Sequence, residues 1–210
     1  MLRLRVTFTK NGPLLYTSHL DLARIWERSL RRAGAPLVYS QGFNPRPKLH
    51  LAAALPLGHV GEAELLDVWL ERPASVEAFT KALVPVLPGG LAVSEVSQVV
   101  LEEPALPTQI VSAEYWVAVE LPSGFDVEAS IDKLLMAAEL PQERRGKSYD
   151  LRPLVERLWL REAAAGRAVL GMQLATRAGA TARPEAVLQA LGLGEMFARY
   201  RRRRLLLGAA

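Results

Sequence analysis

The chain has 210 residues, a formal net charge of +4 and 50% hydrophobic residues, and it contains no cysteine. This length suits one large domain or two domains of about 100 residues each. Without cysteine the chain itself can form no disulfide, thiolate metal site, cysteine nucleophile or iron–sulfur cluster. It has no apolar run of the roughly 18 residues that span a bilayer, and its start lacks a signal-peptide core. We therefore expect a cytoplasmic protein that contacts no membrane.

The first hundred residues predict the element order βα, a connecting elbow, then βαβ. Hydrophobic residues alternate in the strands, and a helix begins at Ser18, where Asp21 completes a variant capping box. The predicted elements are a strand at 2–8, a helix at 18–33, a strand at 64–71, a helix at 75–88 and a strand at 91–100. This order is that of the split β-α-β unit of ferredoxin-like folds.

The second half of the chain repeats this order after a proline-containing, acidic segment. Its predicted elements are a strand at 113–121, a helix at 126–139, strands at 154–162 and 167–177, a helix at 183–193 and a strand at 200–208. We therefore predict an α+β protein of two tandem ferredoxin-like (βαββαβ) domains. The predicted domains are residues 1–102 and 111–210, with a linker at 103–110.

Charge is unevenly distributed along the chain. Residues 1–50 hold 9 cations and 2 acids, residues 51–143 hold 3 and 15, and residues 144–210 hold 14 and 5. Basic segments of this kind meet a polyanion, an acidic protein or the acidic middle segment of their own chain. Arginine outnumbers lysine 21 to 5, which suits phosphate recognition.

One side of the first predicted helix is a row of arginines, opposite an apolar side that contains Trp26. We expect this arginine face to lack balancing acids, because only Asp21 and Glu27 flank it. Like charges this close repel each other unless an anion meets them, and an RNA phosphate backbone is such an anion. A merely solvated helix face is the alternative. The candidate phosphate contacts are Arg24, Arg28, Arg31 and Arg32.

The segment YSQGFNPRPKLHLAA, residues 39–53, combines prolines with cations between two apolar runs. Pro45 and Pro47 each fix the backbone angle φ and remove a hydrogen-bond donor, which makes the segment a stiff elbow. We expect Arg46 and Lys48 to be held outward on it, where they would orient RNA with little loss of entropy on binding. A rigid crossover between strands, with Asn44 in its turn, is the alternative.

Three tryptophans fall on the polar side of predicted strands. Trp159 lies between Arg157 and Arg161 on one side of its strand, and Trp69 and Trp116 occupy comparable positions. Cations interleaved with aromatic residues on an open sheet are typical of proteins that stack the bases of single-stranded RNA. We favour instead a boundary between the two domains, in which strand acids pair with arginines.

The sequence carries no zinc signature, phosphate-binding loop, dinucleotide-binding loop or serine-hydrolase motif. Its three histidines lack metal-ligand spacing, so we expect no metal site. Metal-independent RNA cleavage by His19, His50 and Lys48 is one alternative, because histidines serve as general acid and base. Structural roles for these histidines, at a helix cap and on a strand, are favoured over cleavage.

Residues 15–58 resemble the uncharacterised bacterial radical SAM-linked proteins. The resemblance rests on a Ser-His-Leu-Asp helix start and a Gly-Phe-Asn-Pro-x-Pro-Lys motif, and the later stretches YDLRPLV and ARPEAVLQALGL extend it over nearly the whole chain. Arginine stands at the variable position 46, where relatives often have histidine. The motif residues are Ser18, His19, Asp21, Gly42, Phe43, Asn44, Pro45, Pro47 and Lys48.

The resemblance implies a partner rather than an activity. Members of that family are encoded beside, or fused to, a radical SAM protein with a cobalamin-binding region. The iron–sulfur cluster, S-adenosylmethionine and cobalamin would then belong to the partner, and this chain would hold no cofactor. Tandem ferredoxin-like domains also resemble CRISPR-repeat endoribonucleases, which supports the cleavage alternative by analogy of fold alone.

We therefore predict a non-catalytic protein that presents structured RNA to a radical SAM enzyme, with no specificity for DNA. A metal-independent endoribonuclease and a protein-only accessory subunit are the two alternatives.

Overall fold

The computed structural model describes residues 1–72, 74–144, 146–164, 166–177 and 179–208. These residues divide into two units, and the boundary falls between Ile110 and Val111. Both units are mixed α+β, and their strands pair mostly in the antiparallel direction. Among the helices of the described ranges, none is long and apolar enough to cross a membrane.

The first unit places helices on a sheet with the strand order β2-β3-β1-β4. Its elements are β1 (Leu2–Lys10), α1 (His19–Arg32), β2 (Leu49–Leu51), β3 (Val60–Leu70), α2 (Val76–Leu83), β4 (Leu91–Val99) and α3 (Leu106–Gln109). The predicted start of α1 is confirmed, because Ser18 Oγ accepts a hydrogen bond from the Asp21 amide at 3.1 Å. This bond satisfies one of the free amides of the first helical turn.

Alternation along β1 gives the first sheet two chemically different faces. Leu4, Val6 and Phe8 are fully buried on one face. Trp26 of α1 packs there edge-on against Phe8, with the ring centroids 4.9 Å apart. This contact holds α1 against the apolar face and turns its other side to solvent.

The opposite face of the first sheet carries a buried ionic cluster. Arg3 Nη2 donates to Asp67 Oδ2 at 2.6 Å, and Arg5 Nε donates to Asp67 Oδ1 at 2.8 Å. Asp67 is 0% exposed, Arg3 1% and Arg5 12%. The two guanidinium groups therefore neutralise one carboxylate inside a single unit, and these arginines are not available to an external anion.

The segment predicted as a linker, residues 103–110, packs within the first unit. The Arg3 guanidinium donates to the carbonyl oxygens of Glu103 and Pro104 at 2.7 and 2.9 Å. Leu106, at the start of α3, is fully buried. Proline-rich composition indicated a connector, but one buried leucine and one buried arginine fix the segment to the sheet.

The second unit has the strand order β8-β9-β5-β11, with β10 also pairing with β9. Its elements are β5 (Ile110–Glu120), α4 (Val127–Met136), β6 (Pro141–Arg144), β7 (Lys147–Asp150), β8 (Val155–Ala164), β9 (Arg167–Arg177), β10 (Ala180–Thr181), α5 (Pro184–Ala190) and β11 (Ala198–Leu207). β6 and β7 form a separate hairpin that the sequence did not predict. Leu158, Leu170 and Met172 lie on the buried face of this sheet.

Candidate nucleic-acid interface

The solvent side of α1 presents all four predicted arginines. Leu22, Trp26 and Leu30 are buried on the side that faces the sheet. The arginines on the other side are exposed, and they are Arg24, Arg28, Arg31 and Arg32. Residues three and four apart lie one above the other on a helix, so these side chains form a continuous arginine face.

The expectation that this arginine face lacks balancing acids is wrong for two of its members. Arg24 Nη1 lies 2.9 Å from Asp21 Oδ1, and Arg31 Nη2 lies 3.4 Å from Glu27 Oε2. The spacings of three and four residues bring these groups together. Hydrogen bonds from Ser18 and then Arg24 lower the pKa of Asp21, which keeps this carboxylate charged.

The other two arginines of the face remain unneutralised. Within the described part of the chain, neither Arg28 nor Arg32 has a carboxylate oxygen within 4.0 Å. The pairs of Arg24 and Arg31 are open to solvent, where water and salt weaken them, so a phosphate can replace either carboxylate. The arginine face therefore keeps a positive excess that an extended polyanion could neutralise.

The elbow forms a closed hairpin loop. The Ser40 amide donates to the Arg46 carbonyl at 2.8 Å, and the Lys48 amide donates to the Val38 carbonyl at 2.7 Å. The Arg46 amide also donates to Ser40 Oγ at 3.1 Å. Pro47 is buried at the base of the loop, whereas Arg46 is exposed. These bonds close residues 41–45 into an exposed loop.

The tip of this loop exposes an aromatic ring. Phe43 is the most exposed large hydrophobic residue of the described chain, and it follows Gly42, whose φ of +134° disfavours any other residue. Asn44 and Pro45, also exposed, complete the turn. Sequence reasoning assigned Phe43 to a motif without a role, although an aromatic residue between turn-forming residues is a recognisable signal for a loop tip.

Lys48 does not project outward, so that prediction is wrong. Its Nζ lies 4.7 Å from the ring centroid of Trp69, and the Arg3 guanidinium lies 5.0 Å from the same ring. Trp69 is opposite Arg3 in the pairing of β1 with β3, on the face of the sheet that α1 does not cover. The attraction between ammonium and indole draws Lys48 onto this face, away from the arginine face.

The three residues of the cleavage alternative lie on different sides of the first sheet. His19 is the first residue of α1, which packs on the apolar face. His50 is opposite Asp67 in the pairing of β2 with β3, and its ring lies 4.8 Å from Trp69 on the polar face. Only His50 and Lys48 are therefore brought together, around Trp69.

His50 is held in its neutral form. Burial lowers its pKa, and the nearby charge of Lys48 lowers the pKa further. Its Nδ1 is buried without a hydrogen-bond partner among the described residues. These features describe a partly buried histidine that packs against Trp69.

We expect His50 to make stability depend on pH. Its pKa is lower in the folded state, so the unfolded chain binds the proton first as the pH falls below about 6.5. The contribution of His50 to the free energy of unfolding is complete above about pH 6.5 and is lost progressively below it. Wild-type protein should therefore lose more unfolding free energy between about pH 7.5 and about pH 5.5 than His50→Gln. Urea unfolding at both pH values measures this, and equal losses would contradict the assignment.

Metal ligands are not gathered anywhere in the ranges that the structure describes. No group of three or more His, Asp or Glu side chains there could hold a metal ion.

A profile of uncharacterised proteins conserved in bacteria, DUF2344, matches residues 3–184. The chain belongs to the DUF2344 family. The match includes the whole arginine face, the elbow and most of the second unit. No curated protein matches the sequence.

Solved structures share the fold of this DUF2344 protein at low sequence identity. A chain of a Cbf5-Nop10-Gar1 complex is similar with a TM-score of 0.55 and 15% identity, over 96% of this chain and 48% of that one. A chain of an H/ACA RNP bound to a substrate RNA is similar with a TM-score of 0.50 and 14% identity, over 96% and 47%. This protein thus spans about half the length of those chains, and the likeness concerns the fold.

Proposed function

We propose that this protein binds structured RNA through the arginine face of α1, assisted by Arg46 and Phe43 on the elbow loop, and that it does not itself act as the catalyst. The observation that carries the proposal is the pair of exposed arginines, Arg28 and Arg32, without a carboxylate partner among the described residues. Binding would release the counterions condensed on the phosphates, which favours association.

The fold likeness supports this choice of ligand over an acidic protein. One similar structure is named for an H/ACA RNP bound to a substrate RNA, so a fold of this kind is found in a particle that binds RNA. Function does not follow from fold. The proposal therefore depends on the arginines, with the likeness as secondary support.

We also propose the finer assignments of domain and partner. Each unit would be a ferredoxin-like βαββαβ domain, because β4-β1-β3-β2 and β11-β5-β9-β8 are both strand orders of that type. The predicted domains, residues 1–102 and 111–210, would be these two units, with the segment 103–110 packed in the first. The motif resemblance supports a radical SAM enzyme as the partner that receives the RNA, and its cofactors would remain with it. Co-purification of the two proteins tests this pairing.

A salt titration of RNA binding tests the proposed function. Filter binding of the full chain to a labelled RNA hairpin should weaken steeply between about 50 and about 200 mM salt, with a linear dependence of log K on log salt. No binding, or binding indifferent to salt, would overturn the proposal and favour the protein-only subunit.

The bound RNA should remain intact in EDTA. Cleavage that His50→Ala abolishes would instead support the endoribonuclease alternative.

A further inference from the structure

The second unit carries two tryptophans in register on one face of its sheet. In the pairing of β8 with β9, Trp159 is opposite Gly171, and in the pairing of β5 with β9, Trp116 is opposite the same glycine. Directly opposed residues of antiparallel strands point to the same side. The two indoles therefore flank Gly171 on the face opposite the buried Leu158, Leu170 and Met172.

Gly171 provides the space for one of these rings. A β-carbon at this position would overlap the Cε2, Cζ2 and Nε1 atoms of Trp159. The indole therefore lies over the backbone of the glycine, and one side of the ring is turned away from the sheet. Trp159 remains partly exposed, so that outward side is within reach of solvent.

Two arginines lie over Trp116 and one lies over Trp159. The guanidinium carbons of Arg161 and Arg203 lie 3.5 and 3.7 Å from the ring centroid of Trp116. Two planar groups this close to one centroid must occupy opposite sides of the ring, since they would overlap on the same side. The guanidinium of Arg157 lies 5.2 Å from the Trp159 ring. Trp116 is thus covered on both sides, whereas Trp159 has one guanidinium over it at a longer distance and keeps part of its ring exposed.

The charge of this surface favours an anionic ligand. Arg157 and Arg161 are exposed, and neither has a carboxylate within 4.0 Å in the ranges that the structure describes. A guanidinium stacked on an indole is fixed in position, but its N–H donors point outward in the plane of the group. The surface therefore offers fixed phosphate donors next to an aromatic ring.

We infer that this surface, formed by Trp116, Arg157, Trp159, Arg161 and Arg203, binds single-stranded RNA. A base would stack on the outward side of Trp159, and Arg157 and Arg161 would contact the adjoining phosphates. The inference deepens the proposed function, on which it rests, because it adds a site for an unpaired strand in the second unit. Stacking and phosphate contact together explain why tryptophan and arginine alternate on a face that does not build the core.

Fluorescence titration of the full chain with an oligouridylate of about ten nucleotides tests the inference. Stacking on Trp159 should quench tryptophan emission saturably, and Trp159→Ala should weaken binding about tenfold or more. Trp159→Phe retains a ring and should bind within about threefold of wild type. Trp159→Phe also provides a reading if the alanine variant does not fold. Trp69→Phe, which changes a buried tryptophan of the first unit, serves as the matched control and should leave the titration unchanged.

The outcomes separate this inference from the proposed function. Arg28→Glu/Arg32→Glu should weaken binding of the RNA hairpin about tenfold or more but leave the oligouridylate titration unchanged. Hairpin binding without oligouridylate binding, or oligouridylate binding indifferent to Trp159→Ala, would overturn the inference alone. A dimer that Trp159→Ala dissociates would also overturn it, because the surface would then belong to a second copy of the chain.

Discussion

Asp67→Ala should lower the free energy of unfolding by about 3–5 kcal/mol. The carboxylate is 0% exposed and neutralises Arg3, which is 1% exposed. Its removal leaves the Arg3 guanidinium buried with only carbonyl oxygens as acceptors, and a buried charge without a counter-charge is strongly unfavourable. Urea unfolding followed by circular dichroism measures the loss.

Two further variants make the Asp67 test specific. Asp67→Asn keeps an acceptor oxygen and should unfold at a urea concentration between those of wild type and Asp67→Ala. This variant provides a reading if the alanine variant does not fold. Glu120→Ala removes a carboxylate from an exposed pair with Arg167, 3.6 Å apart, and should cost less than about 1 kcal/mol. Similar losses for Asp67→Ala and Glu120→Ala would show that the buried cluster adds no stability.

Arg28→Glu/Arg32→Glu should weaken binding of the RNA hairpin about tenfold or more, and should reduce the slope of log K against log salt by about 2. The slope falls because each lost phosphate contact releases roughly one counterion fewer. Both side chains are exposed, so the substitutions leave the core of the first unit intact. Filter binding at several salt concentrations gives affinity and slope together.

A matched charge reversal distinguishes a site from a general effect of net charge. Arg72→Glu/Lys81→Glu makes the same change in net charge at two exposed positions outside α1. Binding by this control should stay within about threefold of wild type. If both double variants weaken binding equally, the ligand responds to overall charge, and the assignment to the arginine face fails.

Elements with a regular hydrophobic period were predictable from the sequence. β9 spans Arg167–Arg177, the predicted range, and α1 follows its predicted cap. The β6 and β7 hairpin was missed because its strands are four residues each and polar. Short strands of this kind are stabilised by pairing with a neighbouring strand, and the local sequence pattern does not show that pairing.

The candidate site was predictable only where it depended on local geometry. Helical spacing placed Arg24, Arg28, Arg31 and Arg32 on one face, and the turn-forming residues indicated the elbow loop. The position of Lys48 depends on Trp69, which lies 21 residues further along the chain. Which strands lie opposite each other is a long-range property. The contact of Lys48 with the Trp69 ring could therefore not be predicted from local sequence. The pair of Glu27 with Arg31 was foreseeable from its four-residue spacing.

The Trp159 indole lies directly on Gly171, so only the hydrogen atom of glycine fits beneath the ring. Alanine adds only a methyl group, a change that sheet preferences regard as mild, yet that methyl would occupy the volume of the indole. The ring would have to swing away, and the neighbouring guanidinium of Arg157 would lose its aromatic support. Gly171→Ala would therefore rearrange the outer surface of the second unit and leave its interior unchanged.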